Sequence, residues 1–299
     1  MTSHGDTKAR SKIFVAALRG SCLIQFRGDL EIIRFDGGHL SVRLPMHEHS
    51  KSLGWGRVSQ NGIYAAVYAS PPRAIDWFLV GVALDDGHEL WEVPNEPQSR
   101  PAISRDATRV AFDDQEARII HIYDVPSREL KALRIHGENP AWDPQSHRLA
   151  YDDGVNTIVY DVASETSFSI GAGTEPSWSA DGESIAVRVG PTDVDLPFIS
   201  VRTNPGDIDL LNLKTGSRRQ LVPASSYIVP RWSPDGEWMI YTRRGHASTV
   251  GAAAPEPQTI VIRNTKSGAE MSLGDVPGKA NPIDYTWVDN ERLCRPSGG

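Results

Sequence analysis

Pro176-Ser177-Trp178-Ser179-Ala180-Asp181-Gly182 and Pro230-Arg231-Trp232-Ser233-Pro234-Asp235-Gly236 are two copies of one phrase, an aromatic residue followed by a polar turn. Weaker copies read Pro140-Ala141-Trp142-Asp143-Pro144, Pro101-Ala102-Ile103-Ser104-Arg105-Asp106, Val58-Ser59-Gln60-Asn61-Gly62 and Tyr285-Thr286-Trp287-Val288-Asp289-Asn290. Aligned on the aromatic position, they fall at Val58, Ile103, Trp142, Trp178, Trp232 and Trp287, at intervals of 45, 39, 36, 54 and 55 residues. Self-similarity at this period marks a repeat architecture.

A short β-rich run follows each turn, as in Arg109–Phe112, Arg148–Tyr151 and Ser184–Val189. Two more β-rich runs follow in each interval, and connections such as Lys214-Thr215-Gly216 carry the glycine that tight hairpins favour. Four antiparallel strands per repeat make the blade of a β-propeller. The Asp-Gly pair supplies the positive φ of a tight turn, and the aromatic packs between blades. The expected fold is therefore all-β, a six-bladed propeller of four-stranded antiparallel blades. Its ring closes by pairing N- and C-terminal strands in one blade, because Cys22–Phe26, Leu30–Phe35 and Leu40–Leu44 supply the strands that the repeat at Trp287 lacks. Lys12–Leu18 is unplaced and could add to the closing blade or complete a full blade and so imply seven; six is preferred. Residues 1–11 read as a flexible tail and 12–299 as one propeller domain.

The phrases resemble the WD40-like repeats of TolB-type six-bladed propellers, whose pattern is Pro-x-Trp-Ser-x-Asp-Gly and then a small apolar strand. Ser184-Ile185-Ala186-Val187, Arg109-Val110-Ala111-Phe112 and Arg148-Leu149-Ala150-Tyr151 fit that strand. The resemblance spans about residues 20–294; it implies blade geometry and brings no catalytic residue with it. The α/β domain that precedes the propeller in the two-domain periplasmic TolB has no counterpart in this sequence.

The 299 residues carry a formal net charge of −7, with no basic block beyond Arg218-Arg219 and Arg243-Arg244. Nucleic-acid binding needs a concentrated basic face and is disfavoured. No apolar run approaches a membrane span, and Ile13–Leu18 is too short for a signal-peptide core. The chain as written reads as cytoplasmic, or as periplasmic if a leader has been removed. Cys22 and Cys294 both fall in the expected closing seam. Two buried small hydrophobes are the plainer reading in a cytoplasmic chain, and a disulfide across the ring is the sharper alternative.

Loops that join second to third strands share one face with those that join a fourth strand to the next blade, and binding groups concentrate there. That face holds the Asp113-Asp114 and Asp152-Asp153 pairs, Tyr227, Arg244 and His246 as ligand or partner residues. Turn formation is the plainer reading of the Asp pairs. His47-x-His49 could share a divalent metal with His136, although no cofactor is required and a solvated His pair is the plainer reading. His47, His49, His136, Arg188 and Arg243 are the candidates for acid–base or anion-holding work. Two long inserts, Gly190–Gly206 and Gly245–Pro257, sit on the same face of neighbouring blades.

No Gly-x-Ser-x-Gly elbow, phosphate-binding Gly loop or His-Glu-x-x-His helix is present. The expected function is a non-catalytic binding or scaffold propeller that recognises a protein or peptide through the loop-rich face, with no nucleic-acid or membrane partner. The alternative is a small tailoring enzyme (a lyase, cyclase or hydrolase) acting on a small molecule at the central mouth.

Overall fold

The computed structural model describes residues 21–26, 30–34, 39–42, 52–59, 64–70, 78–84, 88–93, 101–114, 117–190, 195–196, 199–200, 206–226, 230–244, 258–275, 286–289 and 294. The expected tail 1–11 and the run Lys12–Leu18 lie outside the described residues.

Apart from one short insert, the described strands form four-stranded antiparallel sheets. The first contains β1 (Ser21–Phe26), β2 (Leu30–Arg34) and β3 (His39–Val42). The second is β4 (Ser52–Val58), β5 (Tyr64–Ser70), β6 (Phe78–Ala83) and β7 (Glu89–Val93). The third is β8 (Ala102–Ile103), β9 (Arg109–Asp113), β10 (Ile119–Asp124) and β11 (Glu129–His136). The fourth is β12 (Glu138–Trp142), β13 (Arg148–Asp152), β14 (Asn156–Asp161) and β15 (Thr166–Ala172). The fifth starts with β16 (Thr174–Trp178) and β17 (Ser184–Val189). It pauses at an insert that folds on itself as β18 (Asp195–Leu196) against β19 (Ile199–Ser200). It resumes with β20 (Gly206–Asn212) and β21 (Arg218–Ser226). Next come β22 (Arg231–Trp232), β23 (Trp238–Arg244), β24 (Gln258–Asn264) and β25 (Glu270–Asp275). The last strand, β26 (Thr286–Asp289), returns to the first sheet and pairs with β1, Cys22 opposite Val288.

This is an all-β propeller. The innermost strands touch in succession, β4 against β8, then β12, β16, β22 and β26, and β26 against β4. Among the described residues no helix is long and apolar enough to cross a membrane.

The core lies in layers between neighbouring sheets. Ala66, Leu79, Trp91, Val110 and Phe112 fill one layer, Ala111, Ile120, Trp142, Leu149 and Tyr151 the next. A second strand is therefore covered on both faces, which is why it reads as an unbroken apolar run with a small residue at its middle. Gly81 shows how closely these layers fit, since a Cβ there would lie 2.1 Å from Trp91 Cε2.

The repeated phrase works as a fastening between sheets. Trp142 Nε1 donates to Ala102 O at 3.1 Å, and Trp178 Nε1 to Ala141 O at 2.9 Å, each reaching back to the preceding inner strand. The serine then ties the turn. Ser179 Oγ accepts from Ser184 N at 3.0 Å and lies 2.6 Å from Asp181 Oδ1, and Ser233 repeats the pattern with Trp238 N and Asp235. Asp143 takes the serine's place in its own copy, accepting from His147 N and Arg148 N. Gly182 (φ 72°) and Gly236 (φ 75°) hold the left-handed position as their sequence implies, yet Ala107 and Ser146 adopt it too, both at φ 59°. Replacing Ser179 with Ala leaves a buried turn amide without its acceptor. The expected cost is about 2 kcal/mol, read as a lower midpoint in chemical denaturation at unchanged m-value.

Cys22 and Cys294 form a disulfide, with Cα atoms 5.3 Å apart. Of the two readings of this pair, the covalent one holds.

Candidate functional site

The residue before the aromatic position of each phrase faces the centre. Arg57, Ala102, Ala141, Ser177, Arg231 and Thr286 all line one cavity of about 150 Å³, walled by the innermost strands. Four of these six side chains are small, so the two guanidinium groups stand out. Asn139 and Glu175 line the same cavity from the starts of β12 and β16.

Asn139 and Glu175 owe their position to matching irregularities. The pairing of β12 with β13 shifts register between Glu138 and Ala141, and that of β16 with β17 between Thr174 and Ser177. Within each bulge the residue before the proline is left-handed, Asn139 at φ 53° and Glu175 at φ 54°. Bulges re-aim side chains, and such backbone strain persists only where the surroundings enforce it.

The enforcing group is Asp152, the last residue of β13, only 2% exposed. Its Oδ2 accepts from Glu175 N at 2.8 Å and from Asn139 Nδ2 at 3.0 Å, while Oδ1 accepts from Gly154 N at 3.1 Å. One carboxyl thus joins two neighbouring sheets at the mouth. Burial pushes its pKa up to about 7, helped by the negative charges of Glu175 and Glu138, although its N–H donors pull the other way.

The same strand position is polar and buried in neighbouring second strands, as Asp113 in β9, Arg188 in β17 and Thr242 in β23. The aliphatic stem of Arg188 packs on Gly206, where a Cβ would sit 2.9 Å from Arg188 Cγ. The partner Asp of each expected pair does different work. Asp153 accepts from Asn156 N at 2.7 Å and Val155 N at 2.9 Å, the turn-forming role. Asp114 accepts from Ala117 N at 2.6 Å and pairs with His121 Nε2 at 2.9 Å, and that ring stacks on Phe112. Burial opposes ionisation of Asp114, but the bond to and charge of His121 together with the Ala117 and Ile119 amides outweigh it and hold the carboxyl below its usual range.

Two candidates sit away from the cavity. His136 ends the outer strand β11, is exposed, and bonds Ala117 O through Nδ1 at 2.9 Å. Arg243 turns toward the outer strand β25, meeting Glu270 Oε2 at 2.7 Å and Tyr241 Oη at 2.9 Å. Arg244 ends β23, with its side chain outside the described residues, and His47, His49, Tyr227 and His246 also lie outside them. Among the described residues no group of three or more His, Cys, Asp or Glu is placed to hold a metal ion. Arg57, Arg231, Asn139 and Glu175 were not singled out from the sequence as site residues. The signal was present, because Arg57 and Arg231 each stand immediately before the aromatic position of a repeat.

No family model and no curated protein matches the sequence. Among solved structures, TolB from Acinetobacter baumannii superposes with a TM-score of 0.66 at 16% identity, covering 94% of this chain and 71% of that one. The fold is similar to that of TolB. An oligogalacturonate lyase from Vibrio parahaemolyticus also shares it, at TM-score 0.55 and 14% identity over 84% of this chain and 72% of that one. So does a chain of a nidogen–laminin complex, at TM-score 0.61 and 12% identity over 91% and 99%. These likenesses are of fold, and the same TolB-like scaffold serves proteins of different kinds.

Proposed function

We propose that this chain is a non-catalytic recognition module that binds a protein or peptide partner across the loop-rich face and anchors one acidic group of it in the central cavity. The observation that carries this reading is the cavity itself. At about 150 Å³ it is smaller than the roughly 300–1,000 Å³ of pockets that enclose a whole small molecule, but it accepts a single side chain or chain end. Arg57 and Arg231 on its wall favour a carboxylate, and guanidinium groups pair with carboxylates in bidentate fashion. The nidogen–laminin neighbour is a protein complex, which fits the same use of the scaffold.

In this reading the sheets are six blades of one propeller domain, its ring closed where β26 meets β1. The unbroken succession of inner-strand neighbours supports that closure. The Cys22–Cys294 bond favours an oxidising compartment over the cytoplasm. The net charge of −7 favours protein partners over nucleic acid.

A second reading, a small tailoring enzyme at the mouth, is favoured by one observation, the carboxyl of Asp152 titrating near neutrality beside the cavity. Affinity capture separates the two. Wild-type protein is expected to retain a partner that the Arg57→Glu/Arg231→Glu variant loses, with both proteins equally folded by circular dichroism. Equal retention by both would overturn the anchoring role, and turnover of a small molecule abolished in Asp152→Asn would favour the enzyme.

A further inference from the structure

Two seams between neighbouring sheets are sealed alike on the face opposite the mouth. Arg109, the first residue of β9, lies with its guanidinium 5.0 Å from the Trp142 ring centre and donates to Ser146 O at 2.7 Å. Arg148, the first residue of β13, lies 4.6 Å from the Trp178 ring centre and donates to Gly182 O at 3.0 Å. In both, a cation from one sheet covers the indole of the next and ends on a turn carbonyl.

The following seam keeps the indole and the turn but lacks the cation. Trp232 and Gly236 stand where Trp178 and Gly182 stand, and the first residue of β17 is Ser184. A cavity of about 460 Å³ opens there, lined by Ser184, Trp232, Gly236, Asp181, Asp235 and Arg219. That volume lies within the range of pockets that hold small ligands. Trp232 Nε1 differs from its counterparts as well. It is buried and meets no acceptor among the described residues, whereas those of Trp142 and Trp178 reach the neighbouring strand.

We propose that this cavity is a guanidinium-binding site, in which an arginine from outside the chain occupies the place that Arg109 and Arg148 fill at the other two seams. The cation stacks on Trp232, indole being the aromatic face that attracts a cation most strongly. Asp181 and Asp235 supply negative charge on either side. Each takes its turn bonds, from Ser179 and Glu183 N or from Ser233 and Glu237 N, on Oδ1, leaving Oδ2 for the ligand. Arg219 on β21 offers a partner for the carboxylate of an arginine that carries one, while Lys266 is already paired with Glu237. The site shares Trp232 and Ala180 with the wall of the central cavity but neither Arg57 nor Arg231, and it does not depend on the function assigned to that cavity.

Titration calorimetry of the full chain at low salt tests the site. L-arginine is expected to bind at millimolar or lower concentration, and L-citrulline, equal in shape but uncharged, about tenfold more weakly. N-acetyl-arginine amide distinguishes a residue within a peptide from the free amino acid, and binding of either supports the site. Ser184→Arg, which restores the missing cation, is expected to abolish arginine binding and raise the unfolding temperature. Trp232→Leu is expected to weaken binding about tenfold without that rise. Absence of arginine binding, equal binding of citrulline, or unchanged affinity in the folded Ser184→Arg protein overturns the proposal.

Discussion

Removing the Cys22–Cys294 disulfide lowers the stability of the protein by about 5 kcal/mol, and its unfolding midpoint by roughly 10 °C or more. The size follows from the separation of the two cysteines, 272 residues. Without the bond the unfolded chain gains the freedom of an open loop of that length, and chain-entropy estimates grow with the logarithm of loop length. The folded state changes little, because β1 and β26 are hydrogen-bonded regardless and the two side chains are buried. Scanning calorimetry of the wild type against Cys22→Ala/Cys294→Ala measures the effect. A midpoint within a degree or two of the wild type would show that the unfolded chain is not restrained by this bond.

The second large effect is one of pH. The carboxyl of Asp152 titrates at about 7 in the folded protein against 3.8 ordinarily, because it is buried. Between those values the folded state holds a proton that the unfolded state has released. Stability from this group is therefore fully present below about pH 4, falls as pH rises toward 7, and is flat above that. The loss over the window is up to about 4 kcal/mol. In Asp152→Asn this decline disappears, while Asn139 and the Glu175 amide keep an acceptor in the side-chain carbonyl. Denaturation midpoints at half-unit steps from pH 4 to 8 compare the two proteins. Parallel curves would mean that Asp152 does not bear the proton.

Much of the fold was legible because a blade repeats its physical constraints. Trp178 and Trp232 must bridge sheets, Ser179 and Ser233 must tie turns, and the second strands must be apolar on both faces. The spacing of these residues therefore locates the strands. The candidate site was less legible. Asp113, Asp114, Asp152 and Asp153 look alike in sequence, yet Asp152 clamps two sheets and Asp153 caps a turn. The difference lies in which way the strand end turns. Arg243 looked like a mouth residue because it stands near a strand end, but alternation sends its side chain toward Glu270. The disulfide was the less favoured reading, because packing alone explains two cysteines in a closing seam and a chain read as cytoplasmic seldom keeps such a bond. Arg57 and Arg231 were readable in principle, since the position before the aromatic faces inward in every repeat.

The covalent clasp also has a mechanical meaning. With Cys22 joined to Cys294, a pull applied to the chain before Cys22 and after Cys294 runs through the sulfur–sulfur bond. Everything between the cysteines lies off the line of force. Tension on the ends would then leave the sheets assembled until the bond is reduced, after which the β1–β26 pairing is the first element to bear the load.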